Sequence, residues 1–289
     1  MKLGYIGIGL MGRPMVLRLL AAGHEVAVWN RSREKLEAVV AKGAKAMSSP
    51  REVARASEIV MMCVTDQKAA QEVLFAKDGV AGCRKKGLLV VDFSSIAPES
   101  ARKFHEKLKA RSIHLVDAPV SGGTAGAEKG TLAIMAGGEE EHVERARPVV
   151  MHLAQRFTRM GPAGAGQTTK LCNQVIVGSL FPVIAEAVRL AEAGGVDAKM
   201  LPEALKGGFA DSGPLQIFGA RMAARNFEPP LGTNAIMLKD LKNAAAVAKK
   251  HGLALPMASA AAKRYLMLVE AGKPDKDPAT LVELLQAKP

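Results

Sequence analysis

Apolar residues follow two rhythms along this 289-residue chain. Through the first half, short apolar runs alternate with stretches in which apolar residues recur every three or four positions. The runs are Leu3–Ile8, Glu25–Trp29, Glu58–Val64, Leu88–Phe93, Ile113–Asp117, Thr131–Ala136 and Arg156–Arg159. A short, β-branched apolar run bounded by turn residues reads as a buried strand, and a 3.6-residue recurrence reads as a helix. Helices are therefore predicted on Met11, Met15, Val16, Leu19 and Leu20, on Leu36, Val39 and Val40, from Asp66, over Glu99–Ala110 and from Glu140. Ser49-Pro50-Arg51-Glu52 reads as a capping box with Pro at the first helical position. Alternation of this kind predicts a doubly wound α/β domain with right-handed crossovers.

The rhythm changes after Met160. Gly161-Pro162-Ala163-Gly164-Ala165-Gly166 reads as a hinge-like breaker. From about Gln167 to Ala193 the chain reads as one strongly apolar helix, kinked where Pro182 removes the bond to Gly178, and ending at Gly194-Gly195. Further helices are predicted over Ala198–Leu205, Leu215–Arg225, Leu238–His251, Met257–Ala271 and Thr280–Ala287. The expected organisation is a dinucleotide-binding domain over residues 1–162 and an all-α domain over 163–289, the long helix joining them. A helix apolar all round must be buried, so part of that burial is expected against another subunit.

The first predicted turn carries chemistry. Gly7, Gly9 and Gly12 form G-x-G-x-x-G between a strand and a helix. In that context the first glycine permits the tight turn, the second lets a pyrophosphate approach the backbone, and the third lets helix and strand pack closely. The helix N-terminus offers free N–H groups and the positive end of its dipole. Gly7, Ile8, Gly9, Leu10, Met11 and Gly12 are the candidate cofactor loop, joined by Val64 and Thr65 at a later strand end. An NAD site expects an Asp or Glu at the end of the second strand to bind the ribose. Here that strand ends in Asn30-Arg31-Ser32-Arg33, without a carboxylate. Arg31 offers a planar fork of donors suited to a phosphate. Arg31 and Asn30 therefore predict NADP, with NAD accepted at lower preference. Ser32 either joins that site or caps the next helix.

Composition narrows the partners. No uninterrupted apolar run approaches a membrane span, and the N-terminus has no basic leader with an apolar core. Cys63, Cys83 and Cys172 have no metal or redox spacing, and the six histidines form no ligand pair, so no metal is expected. An odd, sparse cysteine count suits a reducing cytoplasm. The net charge of +12 is spread along the chain and mixed with acids, without a basic tail. Most of it reads as solvated surface. No nucleic-acid motif accompanies it, and no nucleic-acid or membrane partner is expected.

Three segments are candidates for the reaction. Lys170, in Gly166-Gln-Thr-Thr-Lys170-Leu-Cys-Asn173, sits among mostly apolar neighbours at the start of the long helix, with Asn173 at i+3 on the same face. Desolvation and a positive nicotinamide would favour its neutral amine and suit it to acid–base work. The alternative is a lysine that snorkels to solvent. Asp117-Ala118-Pro119-Val120-Ser121-Gly122-Gly123 ends a strand, where open α/β sheets bind ligands. Ser121 and the N–H groups of Gly122 and Gly123 would form a carboxylate-sized nest, or only a flexible turn. Ser94 or Ser95, in Phe93-Ser94-Ser95-Ile96-Ala97-Pro98, either caps the next helix or also reaches nicotinamide or substrate.

The chain resembles the β-hydroxyacid dehydrogenases, the group containing 3-hydroxyisobutyrate dehydrogenase and tartronate semialdehyde reductase. The resemblance rests on Gly4–Gly12, Asp117–Gly123, Gly166–Asn173 and Lys239-Asp240-Leu241, and covers nearly the whole length. It implies an N-terminal Rossmann domain joined to a helical one, Lys170 as catalytic acid/base, and Asn173 in the substrate site. It implies that Ser121, Gly122 and Gly123 hold a substrate carboxylate, that Ser95 lies near nicotinamide, and that Lys239, with Asp240 beside it, reaches the cofactor and substrate region. It further implies a homo-oligomer, dimer or tetramer. Asn30 replaces the acid of NAD-preferring relatives, and Leu231 stands where some semialdehyde reductases carry a pocket-shaping Phe. The expected reaction is hydride transfer between NADP and a small 3-hydroxy acid or its semialdehyde, of the glycerate or 3-hydroxyisobutyrate kind. Succinic semialdehyde or L-serine as substrate, an imine reductase, and a non-catalytic cofactor-binding module remain as alternatives.

Overall fold

A computed structural model describes residues 1–285. The chain divides into two compact units, Met1–Lys170 and Leu171 onward. In the first unit the order is β1 (Lys2–Ile6), α1 (Gly12–Ala21), β2 (Glu25–Trp29), α2 (Glu37–Val40), β3 (Lys45–Ala46), α3 (Pro50–Ala56), β4 (Ile59–Met62) and α4 (Gln67–Phe75). It continues through β5 (Leu88–Asp92), α5 (Pro98–Lys109), β6 (Ile113–Asp117), β7 (Val120–Ser121), α6 (Gly123–Lys129), β8 (Leu132–Gly137), α7 (Glu140–Val150) and β9 (Ala154–Gly161). The sheet runs β3-β2-β1-β4-β5-β6-β8-β7, with β9 paired to β8. Strands β1 to β6 pair in parallel, whereas β8 is antiparallel to β6 and β7. From β1 the chain winds outward to β3, then returns to β1's other side for β4, β5 and β6. The switch point lies between β1 and β4, where such sheets bind ligands beyond their carboxyl ends.

Alternation along the strands explains the two-sided core. Leu3, Tyr5, Val26, Val28, Ile59 and Met61 face one apolar layer, and Ile6, Ala27, Val60 and Met62 face the other. Strands covered by helices on both faces read as continuous apolar runs, which is how the sequence announces them. Local signals hold at several helix starts. Asp66 caps α4, its Oδ1 accepting from Ala69 N at 2.9 Å. Ser49 caps α3 by accepting from Glu52 N at 3.3 Å, but the Glu52 carboxylate accepts the Ser48 hydroxyl, so the reciprocal half of the expected box is not made. Ser32 precedes a 3₁₀ turn, Arg33–Leu36, without a side-chain cap. Leu36 and Val39 are buried, whereas Val40 is exposed. The expectation also lacked β3 and β7, which are two residues each, and α6, whose Gly-Thr-Ala-Gly-Ala stretch carries little apolar periodicity.

The segment expected to act as a hinge packs against strands and a helix of the first unit. Helix α8 (Ala165–Ala193) begins in the first unit and continues into the second. A Cβ on Gly166 would stand 2.4 Å from Met135 O and 2.6 Å from Asp117 O. Gly164 holds φ +87°, a conformation L side chains rarely adopt. Gly166 is thus set by close approach to β6 and β8, and Gly164 by its φ and by close approach to Pro98 O and Arg102 of α5.

The second unit contains the rest of α8, α9 (Leu201–Ala204), α10 (Ala220–Ala224), α11 (Asn234–Lys250) and α12 (Pro256–Glu270). A 3₁₀ turn, Ala198–Met200, precedes α9, a π turn, Leu215–Gly219, precedes α10, and the segment expected as a helix over 280–287 is a 3₁₀ stretch, Pro278–Leu284. Ala287 lies outside the described residues. Helix α8 continues through Pro182. Proline has no N–H, so the Gly178 carbonyl loses its i+4 donor. The hydroxyl of Tyr265, itself fully buried, donates to that carbonyl at 3.0 Å. Taken as a window with scattered polar residues, α8 is long and apolar enough to cross a membrane by length and composition, although it contains no uninterrupted run of that length. Its Phe181, Ile184, Ala185 and Val188 belong to the core of this unit. Besides Tyr265, Gln174 donates to Asp240 and Arg189 to the Leu285 carbonyl. Ile176, Val183 and Leu190 nevertheless leave one face of it exposed.

Candidate active site

At the carboxyl end of β1 the three glycines are not equivalent. Gly7 holds φ +98°, and a Cβ there would stand 2.2 Å from Cys63 O. A Cβ on Gly12 would stand 2.0 Å from Gly7 O. The protein's own packing therefore accounts for both. A Cβ on Gly9 would meet nothing within 4 Å, and Leu10 beside it is 84% exposed. A glycine that neither packing nor φ requires, at the mouth of a helix N-terminus, fits a ligand that must touch backbone. The first turn of α1 has no capping side chain and no acidic residue. Both features suit the pyrophosphate of a dinucleotide.

Asn30, at the end of β2, braces this loop. Its Oδ1 accepts from Ile8 N at 2.9 Å and its Nδ2 donates to Ser32 O at 2.8 Å. Both ends of the Asn30 carboxamide are thus engaged within the loop. Across the loop, Thr65 Oγ1 donates to Asp66 Oδ2 at 3.0 Å. The Asp66 carboxyl is held low chiefly by the Ala69 N–H, with smaller help from the Arg31 charge.

The loop after β5 is pinned by hydrogen bonds at Ser94 and Ile96. Ser94 Oγ accepts from Val64 N at 2.9 Å, and Ser94 N donates to Asp92 Oδ1 at 2.9 Å. Burial pushes the Asp92 carboxyl up to about 7, against the opposing pull of the Ser94 bonds, and its Oδ2 has no partner among the described residues. Neither serine caps α5, whose cap position is Ala97. Ser95 alone is exposed, between buried Ser94 and Ile96. Gln167, on the first turn of α8, reaches this loop: its Nε2 donates to Ser94 O at 2.7 Å, and its Oε1 accepts from Ile96 N at 3.1 Å. Asp117, at the end of β6, accepts from Gly164 N at 2.7 Å and Gln167 N at 2.9 Å. Its carboxylate thus satisfies two of the four orphan donors at the start of α8. Burial raises its pKa, opposed by these two bonds.

Lys170 follows one turn later and is partly buried. Ser121 pairs with Ala133 across β7 and β8, and Gly122 and Gly123 hold φ of +125° and +61°. A Cβ on Gly123 would meet nothing within 4 Å, as at Gly9. The first unit thus sets the Gly7–Gly12 loop, Asn30, Arg31, Val64, Thr65, Ser95, Ser121–Gly123 and Lys170 beyond the carboxyl ends of its strands. In the second unit, Asn173 Nδ2 donates to Gln174 Oε1 at 2.8 Å, Gln174 Nε2 donates to Asp240 Oδ2 at 2.7 Å, and Lys239 Nζ lies 3.4 Å from Asp240 Oδ1. Asp240, expected at the substrate, is buried and spends its carboxylate on these partners. Leu231 is exposed in the loop before α11, its N–H donating to Asp277. Sequence reasoning missed Gln167 and Gln174. Their one signal was spacing: each lies one helical turn from Lys170, at i−3 and i+4. Among the described residues no group of three His, Cys, Asp or Glu side chains is placed to hold a metal.

Known proteins align with this geometry along nearly the full chain. Residues 2–161 match the family model of the NAD binding domain of 6-phosphogluconate dehydrogenase. Residues 164–285 match that of the NAD-binding domain of NADP-dependent 3-hydroxyisobutyrate dehydrogenase. The chain is 37% identical over 286 residues to the 2-hydroxy-3-oxopropionate reductase of Escherichia coli K12, covering 99% of this chain and 97% of that protein. It is 40% identical over 248 residues to the probable 3-hydroxyisobutyrate dehydrogenase-like 2, mitochondrial, of Arabidopsis thaliana, covering 86% of this chain and 82% of that protein. Among solved structures, the 3-hydroxyisobutyrate dehydrogenase of Mycobacterium tuberculosis with L-serine superposes with a TM-score of 0.88 at 29% identity, covering 99% of both chains. The chain belongs to the β-hydroxyacid dehydrogenase family of NAD(P)-dependent oxidoreductases.

Proposed function

We propose that this enzyme transfers hydride reversibly between NADP(H) and a small 3-hydroxy acid or its semialdehyde, with Lys170 as the acid/base. The observation that carries this reading is the seating of Lys170 one turn beyond a helix start clamped by a buried carboxylate, in the unit that also holds the glycine loop. Nicotinamide, when bound, supplies or accepts the hydride. In reduction, the Lys170 ammonium gives a proton to the oxygen of the forming alkoxide; in oxidation, the neutral amine takes it back. Ser121 and the N–H groups of Gly122 and Gly123 grip the substrate carboxylate, and Asn173 orients the reacting hydroxyl. Gln174 and Asp240 hold that amide in turn. Such fixed placement contributes several kcal/mol of barrier lowering.

Arg31 selects NADP. A hydrogen bond to a charged group contributes about 1.5–3 kcal/mol, so one such contact gives about tenfold to a hundredfold preference. The enzyme works as a homo-oligomer that covers the exposed face of α8. The candidate 3-hydroxy acids are glycerate, 3-hydroxyisobutyrate, L-serine and threonate, and 4-hydroxybutyrate joins them as the fifth compound, the product of the alternative substrate succinic semialdehyde. Their kcat/KM values with NADP+ and NAD+, for the parent and for Arg31→Ala, test the reading directly. The expected outcome is activity on one or more of them, with an NADP+ preference that Arg31→Ala lowers about tenfold or more. Activity with NAD+ far above that with NADP+ in the parent removes the role of Arg31. Lys170→Ala is expected to cut kcat about 10²–10⁴-fold, as loss of a general acid does, while NADPH affinity by fluorescence titration stays within about twofold. Parent-like turnover in that variant removes Lys170 from the chemistry.

A further inference from the structure

We infer that Gln167 is a positioning residue: its carboxamide locks the loop presenting Ser95 to the helix turn that leads to Lys170. This rests on the reading of Lys170 as acid/base. Three observations carry it. Gln167 is 1% exposed, so its polar end is removed from water and must be satisfied inside the protein. Both ends of the carboxamide meet backbone on either side of Ser95, Nε2 donating to Ser94 O at 2.7 Å and Oε1 accepting from Ile96 N at 3.1 Å. The backbone of the same residue donates to Asp117 Oδ2 at 2.9 Å, and Asp117 also holds Gly164 N at 2.7 Å. Ser94 in turn holds Val64 N through its hydroxyl at 2.9 Å. One residue therefore fixes the exposed Ser95 and the first turn of α8 in a common frame, anchored at the ends of β4, β5 and β6. Lys170 lies three residues along that helix. An apolar side chain of similar volume would fill the space but join nothing.

The match is specific to a group that donates at one end and accepts at the other. A protonated glutamic acid meets that demand. An ionised one loses the donor and sets a negative charge against the Ser94 carbonyl. Gln167→Leu and Gln167→Glu are therefore compared with the parent and with Lys170→Ala in the full-length protein. The readouts are kcat with NADP+ and the most active substrate of the five named above, NADPH affinity by fluorescence, and amide exchange over residues 94–97 and 164–170. Gln167→Leu is expected to lower kcat about 10²-fold, as a small misplacement of reacting groups does. Its NADPH affinity stays within threefold, and exchange rises in both segments. The Gln167→Glu deficit, taken against the parent at each pH, shrinks about tenfold between pH 8 and pH 6, whereas that of Gln167→Leu does not. The inference is overturned if kcat of Gln167→Leu lies within threefold of the parent, if both variants follow the same pH course, or if NADPH affinity falls in step with kcat. Parent-like activity in Lys170→Ala would instead remove the reading on which it rests; an inactive Lys170→Ala beside an unaffected Gln167→Leu removes the positioning role alone.

Discussion

In the sheet unit, every residue of β1, β4 and β5 except Lys2 is buried, whereas on α8 Ile176, Val183 and Leu190 each leave more than half their surface to solvent. The contrast follows from how each unit meets its apolar requirement. A parallel sheet with helices on both faces closes its core within one chain. A helix apolar on more than one side does not. The three exposed residues are spaced by seven, two helical turns, so they form one stripe rather than scattered exceptions. The first unit spends its sequence on internal fit, and the second leaves part of its apolar surface in reserve as an exposed stripe on α8.

That contrast is broken most forcefully at the glycine loop. Gly12→Ala would drive a methyl against the Gly7 carbonyl. It is expected to destabilise the protein by about 3 kcal/mol, the upper range for overpacking, read by urea unfolding. Gly9→Ala meets open space and is expected to leave unfolding unchanged while weakening NADPH binding about tenfold, because the added methyl stands where a pyrophosphate would approach backbone. Equal stability losses in the two variants would show that the open space before Gly9 is not a ligand site.

The reserve surface is tested on α8. Val183→Glu with Leu190→Glu places two carboxylates on the exposed stripe and is expected to halve, or more than halve, the mass measured by light scattering, with the far-ultraviolet spectrum unchanged. An unaltered mass would leave the stripe as plain surface. The smallest effect lies in the sheet unit's histidines. His114 and His142 stack with ring centroids 3.8 Å apart. Burial, then neighbouring positive charge, lowers the pKa of both. The folded protein thus prefers the neutral rings, whereas the unfolded chain takes up protons near pH 6.5. Stability from this pair is complete above about pH 6.5 and is lost as pH falls through the lower folded values. Tm is expected to drop modestly between pH 7.5 and 5.5, and by less in His142→Gln. An identical drop in both proteins would dismiss the pair as a source.

Much of this was legible in the chain. Each predicted strand contains or overlaps an observed one, because a strand buried on both faces is written as a continuous apolar run. The glycine loop was legible because its strand, turn and helix lie within one short stretch, whereas the spacing around Lys170 fitted a snorkelling lysine as well and only the family resemblance singled it out. What escaped were groups whose meaning lies far away in the chain. Asp117 looked like the opening of a carboxylate loop, yet its own carboxylate holds Gly164 and Gln167. The glycines around it looked like a hinge because nothing local reveals the backbone they approach. The bonds by which Asn30 braces the loop, from Ile8 N and to Ser32 O, were likewise not readable from its place at a strand end. In the helical unit, the π and 3₁₀ segments replaced expected α-helices where the segments are short and tertiary packing outweighs propensity.

The bond from Tyr265 to the carbonyl freed by Pro182 couples two positions far apart in the chain. Loss of the phenol oxygen alone strands a buried acceptor. Restoring an amide at 182 first gives that acceptor a local donor, and the same loss becomes mild. Evolution can therefore discard the pair by one route more easily than by the other: the proline leaves first, and the aromatic hydroxyl follows.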